Sequence, residues 1–179
     1  MQDSMELLAR NASVVSSAGL EFMARGVVMG VVGSAAIDAY ALVMRRVFHV
    51  STLDYALLGR WIGHMPQGQF VHARIGAASP VRGERLLGWV AHYSIGVTFA
   101  FVLLALMGRE WVAVPTVLPA LAVGVATIAA PWLVMQPAFG MGVAGSRTAS
   151  PGAGRLRNLG SHVAFGIGLY VSAVVLAFV

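Results

Sequence analysis

The sequence predicts an all-α, polytopic membrane protein with four transmembrane helices and short amphipathic interfacial helices in its first long loop. Hydrophobic residues make up 58% of the 179 residues and charged residues only 11%, whereas about 25% of residues are charged in soluble domains. The apolar residues fall into four blocks, each long enough at about 1.5 Å per residue to approach the thickness of a bilayer. We therefore expect a single membrane domain that spans residues 1–179, with the lipid bilayer as its main partner.

The first predicted span covers residues 26–44 and contains one acid, Asp38. Residues 1–25 precede it as an interfacial lead-in helix. A carboxylate inside a membrane costs about 2.5–3.5 kcal/mol unless it finds a partner or keeps its proton. Small residues recur at helical spacing ahead of Asp38, and such stripes let membrane helices pack closely. Asp38 continues this stripe, so we expect its side chain to point into the helix bundle.

The loop over residues 45–87 is the longest connection and is predicted to contain two short helices. Residues 51–54 resemble a helix start, with a hydroxyl cap and an acid in the first turn. Apolar residues at helical spacing then predict an amphipathic helix over residues 55–62, which stops at residues 65–68. A second short helix is predicted over residues 70–77. Aromatic residues among arginines indicate that both helices lie at the membrane surface.

The remaining spans are predicted over residues 88–107, 112–135 and 163–179. A tight turn over residues 108–110 joins the first two of these spans. Pro131 predicts a kink or break near the end of the third span, because proline removes a helical hydrogen bond. A polar, glycine-rich loop then leads to the fourth span.

The distribution of arginine predicts the orientation. The loop over residues 45–87 contains six arginines and the loop over residues 136–162 contains three, whereas the opposite face has three in all. Arginine-rich short loops stay in the cytoplasm. We therefore expect a multi-pass membrane protein with both termini outside and the two long loops in the cytoplasm.

Unusual polar residues gather on the predicted cytoplasmic side. Each span contributes one such residue near its inner end, and the two cytoplasmic loops add three more. This convergence predicts a polar pocket, whose candidate residues are Asp38, His92, Gln136, His162, His64, His72 and Arg147. No residue of the set is predicted to be catalytic.

Asp38 and the histidines each allow two interpretations. The Asp38 carboxyl either carries a proton or a cation, or it only locks the packing, by pairing with an arginine such as Arg45 or by hydrogen-bonding a neighbouring helix. His92 and His162 could ligate one b-type haem, or a divalent metal together with Asp38 or His64. Alternatively, they are interfacial histidines bonded to helix ends or lipid head groups. The sequence has no HExxH motif and requires no cofactor.

The residues 140–147 match the pattern GxGxxG, but their context argues against dinucleotide binding. That fingerprint needs a preceding strand and an acid about twenty residues later, and no acid follows Glu110. Two interpretations remain: Ser146, Arg147 and the glycine amides cradle a phosphate or lipid head group, or the segment is a flexible loop.

The composition excludes several classes of chemistry. The chain has no cysteine, which excludes disulfides, zinc thiolates, iron–sulfur clusters and cysteine nucleophiles. All twelve basic residues are arginine, which excludes Schiff-base lysines and Walker-type phosphate binding. The net charge is +5, and in a membrane protein such basic residues usually mark the cytoplasmic loops. Basic and aromatic residues do not alternate outside the spans, so we expect no nucleic-acid binding.

Several phrases resemble a bacterial four-span inner-membrane family known only as domain of unknown function 2938. The resemblance rests on residues 59–64 (GRWIGH), 68–72 (GQFVH), 87–93 (LGWVAHY), 136–137 (QP), 146–147 (SR) and 162–166 (HVAFG). It extends from about Phe22 to the fourth span, and residues 1–21 precede the usual start of the family. The resemblance implies the four-span topology, and the family has no established activity to carry over.

Three functional hypotheses follow. The first is a small binding or transport-type membrane protein, which is proton-linked and works as a homo-oligomer or with a membrane protein partner. The second is a redox or metal-dependent membrane enzyme that uses the histidines. The third is a structural or accessory subunit whose polar residues only hold the helices together.

Overall fold

The computed structural model describes the backbone of residues 2–178 and the side chains of residues 18–178. Its described residues are helical and contain no strand, and four helices are long and apolar enough to cross a membrane. The predicted fold class is therefore confirmed, and the chain is a multi-pass membrane protein. The predicted interfacial position of the lead-in depends on side chains of residues 1–17, which lie outside the described residues.

The four spans are formed by three continuous helices and one interrupted helix. The helices are α1 (Gln2–Phe48), α2 (Tyr55–His64), α3 (Glu84–Ala113), α4 (Val117–Ala126), α5 (Gln136–Ala138) and α6 (Pro151–Ala177). A π-helical segment, Pro131–Met135, lies between α4 and α5, and single 3₁₀ turns occupy Met65–Gln67, Ile75–Ala77 and Val143–Gly145. The third span thus runs from Val117 to Ala138, and α2 lies in the first long loop.

The glycine stripe of α1 lies between two neighbouring helices. Gly30 contacts the backbone of α3 at Val97, and a Cβ atom there would overlap with it. Gly33 faces α6 instead, where a Cβ atom would come within 2.7 Å of the Phe165 ring. The small residues therefore bring α1 close to both α3 and α6, as such stripes do in membranes.

Two buried apolar clusters pack the bundle, one at each end. The larger includes Met29, Leu103 and Leu169, from the parts of α1, α3 and α6 that lie away from the arginine-rich loops. The smaller, built from Leu58, Ile75, Ala138 and Phe139, joins the first long loop to the end of the third span, at the end that carries the arginine-rich loops. We call this end the arginine-rich end.

Two interruptions break the third span near the arginine-rich end. The first is a turn at residues 127–128, which follows the end of α4 at Ala126, and the second is the π-helical segment that begins at Pro131. Proline lacks the amide hydrogen that an α-helix needs at this point, so the observed break agrees with the prediction made from Pro131.

The N-cap of α2 is Asp54, whose side chain accepts a hydrogen bond from the Ala56 amide, and not a hydroxyl as predicted.

The second predicted loop helix, over residues 70–77, is wrong except for the turn at its end. The His72 amide donates to the Ala138 carbonyl at 2.8 Å, and the Ile75 amide donates to the Phe139 carbonyl at 3.2 Å. These amides are thus bonded to the end of the third span. The segment consequently runs along that end instead of closing helical turns.

Two helices extend beyond the predicted spans. The backbone is non-helical at Gly108, which has a φ of 73°, where the turn over residues 108–110 is predicted, and helix then continues to Ala113. The helix that contains the predicted fourth span begins at Pro151, ahead of the predicted start at Val163. Proline suits the first turn of a helix, and polar residues over residues 151–162 mask the start of this helix in a hydropathy pattern.

Candidate functional site

A cavity of about 1480 Å³ lies at the arginine-rich end, beside the smaller apolar cluster. Its wall includes residues from α1, α2, α3, the third span, the glycine-rich loop and α6. The predicted pocket residues that line it are Asp38, His92, Gln136 and His162. His64, His72 and Arg147 are not among its lining residues.

Asp38 is the centre of a four-residue group that we call the Asp38 cluster: Asp38, Tyr55, His92 and Tyr93. The Tyr55 hydroxyl donates to Oδ1 of Asp38 at 3.0 Å, and the Tyr93 hydroxyl donates to Oδ2 at 2.9 Å. Nε2 of His92 lies 3.3 Å from Oδ1 and 3.2 Å from the Tyr55 hydroxyl. Both carboxylate oxygens therefore have partners on neighbouring helices, and no arginine is needed.

The docking of α2 on α3 brings Tyr55 to Asp38. Gly59 and Gly88 lie at the crossing, where each backbone contacts the other helix so closely that a Cβ atom would overlap with a carbonyl oxygen. Tyr55 then stacks on His92 with ring centroids 4.2 Å apart. Neither tyrosine was predicted as a site residue from the sequence. The position of Tyr93 beside His92 was the available signal for one of them, whereas Tyr55 depends on the helix crossing.

The surroundings of Tyr55 keep its hydroxyl protonated. Burial raises the pKa of Tyr55 above its ordinary value, and the charge of Asp38 adds to this effect. Tyr55 is therefore a neutral donor to the carboxylate. His92, whose side chain is 10% exposed, is the basic group next to Asp38. Nε2 of His92 and the Asp38 carboxylate thus lie side by side at the cavity wall.

His162 forms a second polar site on the same wall. The Thr127 hydroxyl donates to the Gly124 carbonyl, and Nδ1 of His162 lies 2.7 Å from the same hydroxyl oxygen. Because the hydroxyl has only one hydrogen, its oxygen accepts from a protonated Nδ1. This tautomer, which is inferred from the hydrogen bonds, leaves Nε2 of His162 as an acceptor for another partner.

Two further polar groups of the cavity-lining residues have no hydrogen-bond partner among the described residues. They are Oγ of Ser34, a residue that is 1% exposed, and Oε1 of Gln136, a residue that is 8% exposed. Buried polar atoms normally have partners, and an unpaired one costs about 1–3 kcal/mol. Both atoms are enclosed by neighbouring protein atoms, and Oγ of Ser34 lies against Gly96 of α3.

His64 and His72 form a separate buried pair beneath the loop. Nδ1 of His64 lies 2.8 Å from Nε2 of His72, and the two rings stack with centroids 5.0 Å apart. Both residues are buried, because the His72 segment is bonded to the end of the third span. They therefore belong to the packing of the loop and not to the cavity wall.

The pair predicts a loss of stability in mild acid. Burial lowers the pKa of His72 below its ordinary 6.5, and His64 adds to this effect. The unfolded chain therefore binds more protons as the pH falls below about 6.5, and the free energy of unfolding decreases. We expect the melting temperature to fall between about pH 7.5 and 5.5, and to fall less in His72→Gln. The exposed His49 provides the control, and an equally shallow profile in His49→Gln would contradict the assignment to His72.

Arg147 lies in a glycine-rich loop that is bonded to itself. Its amide donates to the Met141 carbonyl at 2.9 Å, and the Ser146 amide donates to the Val143 carbonyl at 3.0 Å. The amides of Gly140 and Gly145 are likewise bonded to carbonyls within the segment. Because these amides are occupied, most of the loop backbone cannot cradle a phosphate. The positive φ angles of Gly140, Gly142 and Gly145 serve to fold the loop.

His92 and His162 line the same cavity, as a shared ligand would require. However, Nε2 of His92 is within hydrogen-bonding distance of Oδ1 of Asp38 and of the Tyr55 hydroxyl. A metal or haem would therefore need Nδ1 of His92. Within the described part of the chain, no three metal-binding side chains come together. The metal and haem hypothesis stays a prediction.

Comparison with known proteins gives a family without an assigned activity. The family described as "Protein of unknown function (DUF2938)" matches residues 27–176. No curated protein and no solved structure shows a significant match to the chain. The match reaches into all four spans and includes both arginine-rich loops and the Asp38 cluster. The chain therefore belongs to the DUF2938 family of proteins of unknown function.

Proposed function

We propose that this protein binds a small molecule in its cavity and is of the binding or transport type. The observation that carries the proposal is the coincidence of the cavity with the polar groups. Asp38, His92, Gln136 and His162 share one cavity of about 1480 Å³, which exceeds the roughly 300–1,000 Å³ of ordinary ligand sites. A protein that used these residues only for packing would have no reason to leave this end of the bundle open.

The Asp38 cluster would give the binding its proton dependence. A ligand that approaches Asp38 and His92 removes water from them, and charged groups are less stable in a poorly hydrated site. Binding would therefore change the balance between Asp38 and His92 as a neutral pair and as an ion pair. Proton exchange at the wall would then be linked to binding. A complete transport path would need a homo-oligomer or a membrane protein partner, since the four spans show no inverted repeat.

The orientation follows from the arginine count. Nine arginines lie in the loops and helix ends at the cavity end and three lie elsewhere, so this end would face the cytoplasm of a bacterial inner membrane with both termini outside. A ligand would therefore enter from the cytoplasmic side.

The absence of cysteine from the sequence allows a direct test by single-cysteine labelling. Ser161 lines the cavity, whereas Ser94 is exposed on the outer surface of α3 at a similar distance from the start of its helix. We expect a charged methanethiosulfonate reagent to modify Ser161→Cys quickly from the cytoplasmic side and Ser94→Cys slowly, because lipid excludes the reagent. Inverted vesicles and spheroplasts present the two faces separately.

A matched pair of neighbouring alanines provides the control. Ala130 lines the cavity and Ala129 is exposed outside it. Adding Ala130→Phe to Ser161→Cys should slow labelling about tenfold, and adding Ala129→Phe should leave it unchanged. Equal, slow labelling of Ser161→Cys and Ser94→Cys from both faces would contradict an accessible cavity and would favour a structural or accessory subunit. Fast labelling from the outer face alone would show that the orientation is opposite to the proposed one.

A further inference from the structure

We propose that the cavity binds an amphipathic anion, which enters sideways from the surrounding lipid leaflet. In this arrangement the alkyl tail lies between α3 and the third span, and a carboxylate or phosphate head lies near Arg157. The inference rests on the proposed function and names its ligand class. It depends on a lateral gap, on a positively charged rim and on unpaired polar groups in the wall.

The cavity opens toward lipid between α3 and the third span. Ile95 of α3 and Val134 of the π-helical segment both line the cavity, yet they are 43% and 57% exposed. Residues that face the cavity and the outer surface together mark a gap in the wall. Because the gap lies within the membrane spans, hydrocarbon faces it, and an apolar tail can pass without crossing water.

The divergence of these two spans follows from how α4 packs. Gly124 of α4 contacts the backbone of α6 at Gly166, where a Cβ atom would come within 2.7 Å of Gly166 Cα. This contact holds the third span against α6, and α4 packs far more extensively on α6 than on α3. Beyond the interruption at Thr127, residues of the same span line the cavity. The gap is therefore a consequence of the fold.

Three arginines lie among the cavity-lining residues at the arginine-rich end: Arg45, Arg85 and Arg157. Within residues 18–178 none of them has an ion-pair or side-chain hydrogen-bond partner. Free guanidinium groups bind carboxylate and phosphate strongly, and often through two hydrogen bonds. Arg157 is partly buried, so it is the arginine that the head group would contact.

Two acids, Asp38 and Asp54, line the cavity together with the three arginines, so the formal charge of its lining residues is +1. The carboxylate of Asp38 accepts from Tyr55 and Tyr93, and that of Asp54 caps α2 through the Ala56 amide. Neither carboxylate is paired with one of the three arginines, and a net positive charge remains. It would attract anions and repel cations of the same shape.

The unpaired Gln136 side chain offers a second contact for a polar head. Its Oε1 atom is buried without a partner among the described residues, near Gly145 and Thr148. The oxygen and nitrogen of an amide are exchangeable by a flip, so Gln136 can present either an acceptor or a donor. An anionic head that also carries a hydroxyl would satisfy Gln136 and Arg157 together.

Native mass spectrometry of the full chain in a non-ionic detergent tests the ligand class. The probes are laurate, dodecanol and dodecyltrimethylammonium, which share a twelve-carbon tail and differ in charge. We expect laurate to bind at least tenfold more tightly than the other two. Arg157→Gln should remove this preference while dodecanol binding stays unchanged. Arg82→Gln is the matched control, because Arg82 is exposed and does not line the cavity.

A second set of probes identifies the source of the anion. If phosphatidylglycerol binds with the same dependence on Arg157 and laurate does not, the ligand is a membrane lipid. If laurate competes with phosphatidylglycerol, a free amphiphile shares the site. Equal binding of all three twelve-carbon probes, or a laurate preference that survives Arg157→Gln, would overturn the inference. If Ser161→Cys still labels quickly in that case, the proposed binding function stands with another ligand class.

Discussion

The substitution Gly88→Ala is expected to release α2 from α3 and to destabilise the protein by about 3 kcal/mol or more. A Cβ atom at Gly88 would overlap with the Tyr55 carbonyl oxygen, which belongs to the backbone and cannot turn away like a side chain. Alanine would otherwise favour the helix by up to about 1 kcal/mol. A decrease in stability would therefore come from the overlap at the crossing of α2 and α3, and not from the helix propensity of alanine. Thermal unfolding in detergent, followed by tryptophan fluorescence, measures it.

Gly76→Ala is the matched control for this substitution. A Cβ atom at Gly76 would have no neighbouring atom within 4 Å, and the φ angle of Gly76 is not positive. Its replacement should therefore change the stability by less than about 0.5 kcal/mol. A melting temperature of Gly88→Ala equal to that of Gly76→Ala would show that α2 does not dock on α3. The Asp38 cluster would then lose its Tyr55.

Asp38→Leu is expected to lower the free energy of unfolding by about 2–4 kcal/mol, because each buried hydroxyl left without a partner costs about 1–3 kcal/mol. Tyr93 loses its only acceptor among the described residues, and Tyr55 keeps only His92. Asp38→Asn retains an oxygen that accepts from one tyrosine and an amide that donates to the other. Its cost should therefore be about 1 kcal/mol or less.

Unfolding in mixed micelles, with rising dodecyl sulfate, compares the two variants. The comparison also separates packing from function. If Asp38→Asn is stable but changes the pH dependence of probe binding, the charge of Asp38 acts on the ligand. If Asp38→Asn matches the wild type in both measurements while Asp38→Leu unfolds, the carboxyl serves only to hold helices together. Equal stability of Asp38→Leu and the wild type would contradict the hydrogen bonds of the cluster.

The all-α membrane fold could be predicted because its cause is local. A run of apolar residues is stable in lipid only as a helix, whatever its neighbours are. The small-residue stripe ahead of Asp38 also indicated the inward face of α1 from local sequence, because small residues at helical spacing let membrane helices pack closely. The break at Pro131 also follows from one residue, since proline lacks an amide hydrogen.

The helix boundaries that differ from the sequence-based expectation depend on contacts or on weak patterns. Residues 70–74 are not helical, since the His72 and Ile75 amides are bonded to the end of the third span, and no local pattern shows that partner. The start of α6 at Pro151 is hidden by polar residues, which hydropathy assigns to a loop. Helix ends are the part of a fold that local patterns locate least well.

By itself, the sequence determined the class of protein, the four spans, the arginine-rich end and the presence of Asp38, His92, Gln136 and His162 near that end. These properties follow from composition and from distance along a helix. The tertiary structure alone decided which of these groups meet. It paired Asp38 with Tyr55, Tyr93 and His92, turned His64 toward His72, and left a cavity where α3 and the third span separate. Contacts between helices depend on crossing angles and close glycine approaches, which no single segment encodes.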